Sequence, residues 1–176
     1  MATGTIDFNP ADGLPPDGSA SNLAPAVQRV KSSATAPPPY FTQLAFDAAN
    51  LEFVCFEFVM PADYASGLTL KLKFKMVSAV TGNVIMIGRL AAYTVGTDTT
   101  DMDAKAFDAA NTSAATAVPA TTAGRGGEIS ITMTNADSVA ANDKCVLYVA
   151  RDGASGSDTA AGDLELVGIT LTYTTT

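Results

Sequence analysis

The sequence predicts an all-β protein, an antiparallel β-sandwich of the jelly-roll kind with an extended N-terminal arm. Three observations predict it. Leu70-Lys71-Leu72-Lys73-Phe74-Lys75-Met76 alternates with period two, placing its apolar side chains on one sheet face and three lysines on the other. Comparable short runs recur about every ten residues between Gly, Asn, Asp and Pro turn signals, the spacing of a sandwich. No run shows the alternation of strands and long helices that a sheet wrapped by crossover helices needs.

Residues 1–39 form the arm. They hold seven of the nine prolines, Pro10, Pro15, Pro16, Pro25, Pro37, Pro38 and Pro39, which exclude central strands and favour extended backbone. Ala24 to Val30 has room for a short turn of helix, with Asn22 as its cap. The arm is either a solvated tail or a segment that orders against a partner. Scattered Ile6, Phe8, Leu14, Leu23, Val27 and Val30 favour the second, since a solvated linker has little use for them.

Residues 40–176 form the sandwich domain. Strands are expected over Phe41 to Phe46, Leu51 to Val59, Leu68 to Val77, Val84 to Tyr93, Glu128 to Asn135, Lys144 to Arg151 and Leu164 to Thr174. Their alternation nominates a core of Phe53, Cys55, Leu70, Leu72, Phe74, Ile129, Ile131, Leu147, Val149, Ile169 and Leu171. Phe53-Val54-Cys55-Phe56 is apolar on both faces, so one face meets either a neighbouring subunit or a covering loop. Gly88 inside a strand marks a bulge or a close backbone approach. The acidic segment from Val95 to Ala117 reads as loop, anchored to the sheet by Phe107, with room for one helical turn at Ala104 to Ala110. Phe-Asp-Ala-Ala-Asn occurs at Phe46–Asn50 and again at Phe107–Asn111, as equivalent turns or as a coincidence of composition.

Composition narrows the function. The net charge of -8 opposes nucleic acid, which is bound mainly through Lys and Arg, and opposes anionic membranes. Only 16% of residues are charged, against the usual quarter, which suits either small side chains on loops or a surface that packs on neighbours. No run is long and apolar enough to span a bilayer, and Met1-Ala2-Thr3-Gly4 lacks the basic start of a secretory signal. Cys55 and Cys145 lie inside apolar strand patterns, either as buried thiols or as a disulfide between adjacent strands.

Catalysis has little to work with. The chain has no histidine, which removes the common acid-base residue, the Ser-His-Asp arrangement and His-containing metal sites. Gly124-Arg125-Gly126-Gly127 lacks the Lys-Ser or Lys-Thr of a phosphate loop. Asp98, Asp101 and Asp103 lack the glycine and closing glutamate of a calcium loop. Glu52 and Glu57 are the one pair of carboxylates to weigh as a glycosidase acid and base, but their odd separation puts them on opposite faces of a regular strand, which argues against a shared site. No enzyme, metal or cofactor is expected.

Two segments resemble a known module. Phe58-Val59-Met60-Pro61-Ala62-Asp63-Tyr64, continuing through Gly67 to Phe74, is the first. Val149 to Asp152, followed by Asp158 to Tyr173, is the second. Together they resemble the jelly-roll head decoration, or cement, proteins of tailed bacteriophages, over residues 40–174. Where that pattern has a tryptophan, this chain has Ile85, Met86 and Ile87. The resemblance implies a protein on the outer capsid surface of a virion, bracing the shell. It implies a homotrimer whose partners are the major capsid protein and neighbouring decoration proteins, with the arm reaching across subunits. An alternative is a tail or baseplate module that binds a host glycan through Tyr64, Tyr93 or Tyr148.

Overall fold

The computed structural model describes residues 2–78, 80–119 and 122–176. Its strands are β1 (Thr3–Phe8), β2 (Ala26–Lys31), β3 (Tyr40–Phe46), β4 (Leu51–Val59), β5 (Tyr64–Met76), β6 (Asn83–Val84), β7 (Met86–Tyr93), β8 (Asn111–Thr112), β9 (Thr116–Ala117), β10 (Gly127–Thr132), β11 (Lys144–Asp152) and β12 (Leu164–Thr175). The larger sheet runs β10-β5-β12-β3-β2, with β1 also paired to β12. The smaller runs β4-β11-β7-β8, and β6 and β9 form a short separate ribbon. From β3 onward the long strands alternate between the two sheets, which is jelly-roll connectivity, and every strand pair is antiparallel.

The core lies between the inner faces. Leu70, Leu72 and Phe74 of β5, Ile129 and Ile131 of β10, and Ile169 and Leu171 of β12 come from the larger sheet. Leu147 and Val149 of β11 meet them from the smaller. The lysine strand is the clearest case of alternation setting the layer: its leucines are fully buried and its lysines face away. Gly88 is a close approach, since a Cβ there would meet Met133 Sδ at 2.8 Å and Leu70 Cδ2 at 2.9 Å.

Phe53 and Cys55 lie elsewhere. Val54 and Phe56 are the β4 residues that point into the main core, which turns Phe53 and Cys55 outward. There they join Ile87, Tyr148, Ala150, Phe107 and Ala110 in a second cluster on the outer face of the smaller sheet. Two covers hide this face. Phe107 anchors its loop edge-on to Tyr148 at 5.6 Å, and Leu14 exchanges backbone hydrogen bonds with Cys55 along the free edge of β4.

The two cysteines are free. Cys145 points into the core and Cys55 to the opposite face, so the sheet itself separates them. Desolvation pushes the Cys55 thiol up to about 11 and the Cys145 thiol to about 12, so both stay protonated at neutral pH.

Residues 1–39 supply two strands. β1 pairs with β12 from Thr3↔Thr174 to Phe8↔Ile169. Ile6 and Phe8 pack on the main core, with the Phe8 ring 5.4 Å from both Phe56 and Phe58. Leu23 bridges Glu52 at the edge of β4. The turn of helix expected at Ala24 to Val30 is a strand instead. β2 pairs with β3 through Gln28↔Gln43 and Val30↔Phe41, a long-range partnership that overrides the local cap signal at Asn22. Val27 stays half exposed, and Val30 lines the groove described next.

Candidate functional site

The site is created by a gap beside β12. On one side β12 pairs with β5 along its length, with irregularities between Leu166 and Gly168 and at the Tyr173–Thr175 end. On the other it pairs with β3 only over Leu164 to Leu166, and with β1 only from Ile169 onward. Val167 sits at the changeover. The first half of β3, from Tyr40 to Gln43, is therefore paired to β2 alone and borders an unfilled notch.

Two hollows open there and meet at Phe41 and Val167. The first, of about 510 Å³, lies between the end of β1 and β3, with Asp7, Asn9, Tyr40 and Thr42 around it. The second, of about 550 Å³, lies over the sheet and is bounded by Val30, Ser32, Ser33, Lys75, Gly124 and Gly126. Together they make a groove with a phenylalanine in its middle. The Phe41 ring is 50% exposed, and Tyr40 is 54% exposed, an unusual cost for two large side chains that already belong to a strand. The Arg29 guanidinium lies 4.8 Å from the centre of the Tyr40 ring, a cation–π contact that holds it at the rim.

A polar layer supports the floor. Gln43 is fully buried and its Nε2 donates to Gln28 Oε1 at 2.8 Å and to Glu165 Oε1 at 2.6 Å. Glu165 is also paired with Lys75 across β12 and β5. Burial holds the Lys75 ammonium below its ordinary value. Four side chains from four neighbouring strands are linked in this way beside Phe41, which fixes the groove on rigid sheet rather than on loops. An apolar platform with hydroxyls, an amide and charges on its rim suits a ligand with both an apolar face and many hydroxyls.

The residues nominated from the sequence fall into several places. Ile6 and Phe8 pack into the protein's own sandwich, and Leu14 and Leu23 cover the β4 edge. The three tyrosines do not form a ring platform. Tyr64 packs against Tyr173 at 5.9 Å, Tyr93 donates its hydroxyl to the Asp98 carbonyl at 3.1 Å, and Tyr148 is only 9% exposed beneath Phe53, stacked at 4.7 Å. A cleft of about 250 Å³ beside Tyr93 is smaller, and its lysines are already engaged, Lys144 with Glu57 and Lys105 with Asp137. Phe41 and Tyr40 were not singled out by sequence, because alternation alone does not show where a neighbouring strand stops. Among the described residues no three Cys, Asp or Glu side chains gather as a metal site.

No protein-family model matches the chain, and no curated protein does. Solved structures do. A xylan-binding module, CBM15, matches with a TM-score of 0.50 and 12% identity over 99% of both chains. A carbohydrate-binding module described for specific mannan recognition, TmCBM27, matches with a TM-score of 0.45 and 11% identity over 99% of this chain and 100% of its own. A structure of infectious bursal disease virus, Gx strain, gives 0.38 and 11% identity, with 33% of that chain covered.

The CBM15 likeness shows the fold, a β-sandwich shared over the full length of both chains. It overturns the expected phage head decoration protein, along with its capsid location and its major-capsid, neighbouring-decoration and trimeric partners. The full-length match is to a xylan-binding module, and the two segments that suggested otherwise, Phe58 to Phe74 and Val149 to Tyr173, are strands and turns that a β-sandwich of either kind contains.

Proposed function

We propose that the protein is a glycan-binding module that holds its ligand in the groove beside β12. The observation that carries this is Phe41, half exposed between two hollows on a rigid sheet face with hydroxyl, amide and charged groups around it. The carbon–hydrogen face of a sugar ring packs on such a phenyl ring, while its hydroxyls reach Asn9, Thr42, Ser32 and Ser33. The fold supports the reading, since it is shared over full length with a module named for binding xylan.

Titration calorimetry against a panel of plant, fungal and bacterial oligosaccharides tests it. Wild-type protein gives saturable binding to at least one of them. Phe41→Ala weakens that binding at least tenfold, about 1.4 kcal/mol, while the far-UV spectrum is unchanged. Tyr148→Phe leaves it intact, because that ring is covered. A flat response across the panel, or binding indifferent to Phe41, overturns the proposal.

A further inference from the structure

The charges of this chain are segregated, and the groove lies on the minority side. The protein carries -8 overall. Lys71, Lys73 and Lys75 nevertheless stand in a row on the outer face of β5, at about 6.8 Å intervals set by strand geometry. Lys75 lines the second hollow itself. Arg125 lies between Gly124 and Gly126, two residues of that hollow's rim.

The carboxylates on this side are few. Glu165 is taken up by Lys75, and Glu128 stands across from Lys73 in the register of β10 and β5. Asp7 lies at the far end of the groove, where its Oδ1 accepts from Thr170 Oγ1 at 2.6 Å. On this side Lys71, Lys73, Lys75 and Arg125 therefore stand against two carboxylates, Glu165 and Glu128, in a chain whose net charge is -8. Lys71 and Lys73 have no carboxylate within salt-bridge distance among the described residues. The Lys73 stem lies over Gly168, where a Cβ would meet its Cβ and Cδ at 3.5 Å.

We infer that the glycan taken by this groove is anionic, a sugar chain bearing carboxylates such as a uronate, with Phe41 under one ring and the β5 lysine row along the next. This rests on the glycan-binding reading above. Charge complementarity selects the ligand: the net negative charge of the rest of the molecule disfavours a polyanion elsewhere, so the field orients it as well as attracts it. Lysines suit the task as mobile point charges that reach ring carboxylates without a fixed fork geometry.

The test uses the whole chain and three matched probes: a uronate oligosaccharide, the same oligosaccharide with its carboxyls methyl-esterified, and a neutral oligosaccharide of equal length. The uronate binds at least tenfold tighter than its ester, and that preference collapses between low salt and 0.5 M salt as screening predicts. Lys71→Gln with Lys73→Gln removes the preference and leaves the weaker neutral binding in place. Lys144→Gln, on the opposite sheet, changes nothing. Equal binding of ester and acid overturns the inference while the glycan reading stands. No binding of any probe overturns both. Binding to anionic phospholipid vesicles or DNA as tight as to the uronate overturns the glycan as the occupant and leaves a general polyanion surface.

Discussion

Arg151 carries a guanidinium into an interior where it has no water. It is fully buried, and five hydrogen bonds account for it. Nε and Nη2 donate to the two oxygens of Asp158 at 3.0 and 2.8 Å, Nη1 donates to the carbonyls of Gly162 and Phe46, and Nη2 to that of Ala160. The pair thus ties the loop after β11 to the end of β3. Its net worth is modest, but its rupture is costly, because one partner left alone is an uncompensated buried charge. Asp158→Ala is expected to lower stability by about 3–5 kcal/mol in urea unfolding. The double change Arg151→Met with Asp158→Leu costs clearly less. Equal losses from both would show that the loop's packing, not the ion pair, is what matters.

Residue patterns settle the faces of some strands and leave others open, for a physical reason. Alternation in Leu70 to Met76 is unambiguous, because three lysines cannot face a core, and the buried set follows directly. Phe53-Val54-Cys55-Phe56 has no polar residue to break the tie. Which face was inner depended on Leu14, Leu23 and Phe107, residues up to about fifty positions away in sequence. Phe41 suffers the same difficulty in reverse. Its strand is legible, but its exposure comes from where β1 begins its pairing with β12, and no local pattern records that.

At the scale of elements, β1 is the informative one. A strand from the Pro-rich arm closes one flank of β12, and its Phe8 ring completes an aromatic group with Phe56 and Phe58. Without it β12 becomes an open edge beside an uncovered patch of core. A chain beginning at Pro10 is expected to lose on the order of 3 kcal/mol, which for this size is a fall of about 6–12 °C in Tm. It is also expected to self-associate, seen as a larger species in gel filtration. A truncated chain with unaltered Tm would mean that β1 adds no stability. β1 also forms one wall of the first hollow through Asp7 and Phe8, so the same element that protects the sheet edge shapes the site.

At the scale of the whole molecule, a jelly roll offers two broad outer faces, and this chain treats them differently. The smaller sheet's face is covered by Phe107 and the Leu14 strap, with its rings stacked on one another. The larger sheet's outer face is left open and carries the exposed Phe41 and the lysine row. That asymmetry, more than any single residue, is why we place binding on the larger sheet. Backbone amide NMR during titration with a bound oligosaccharide reads the location directly. The account predicts the largest shift changes at Phe41, Thr42, Ser32, Lys75 and Val167, with Tyr148, Phe107 and Lys144 unmoved. Shifts gathered on the smaller sheet around Phe107, with the β3 and β12 amides silent, would contradict it.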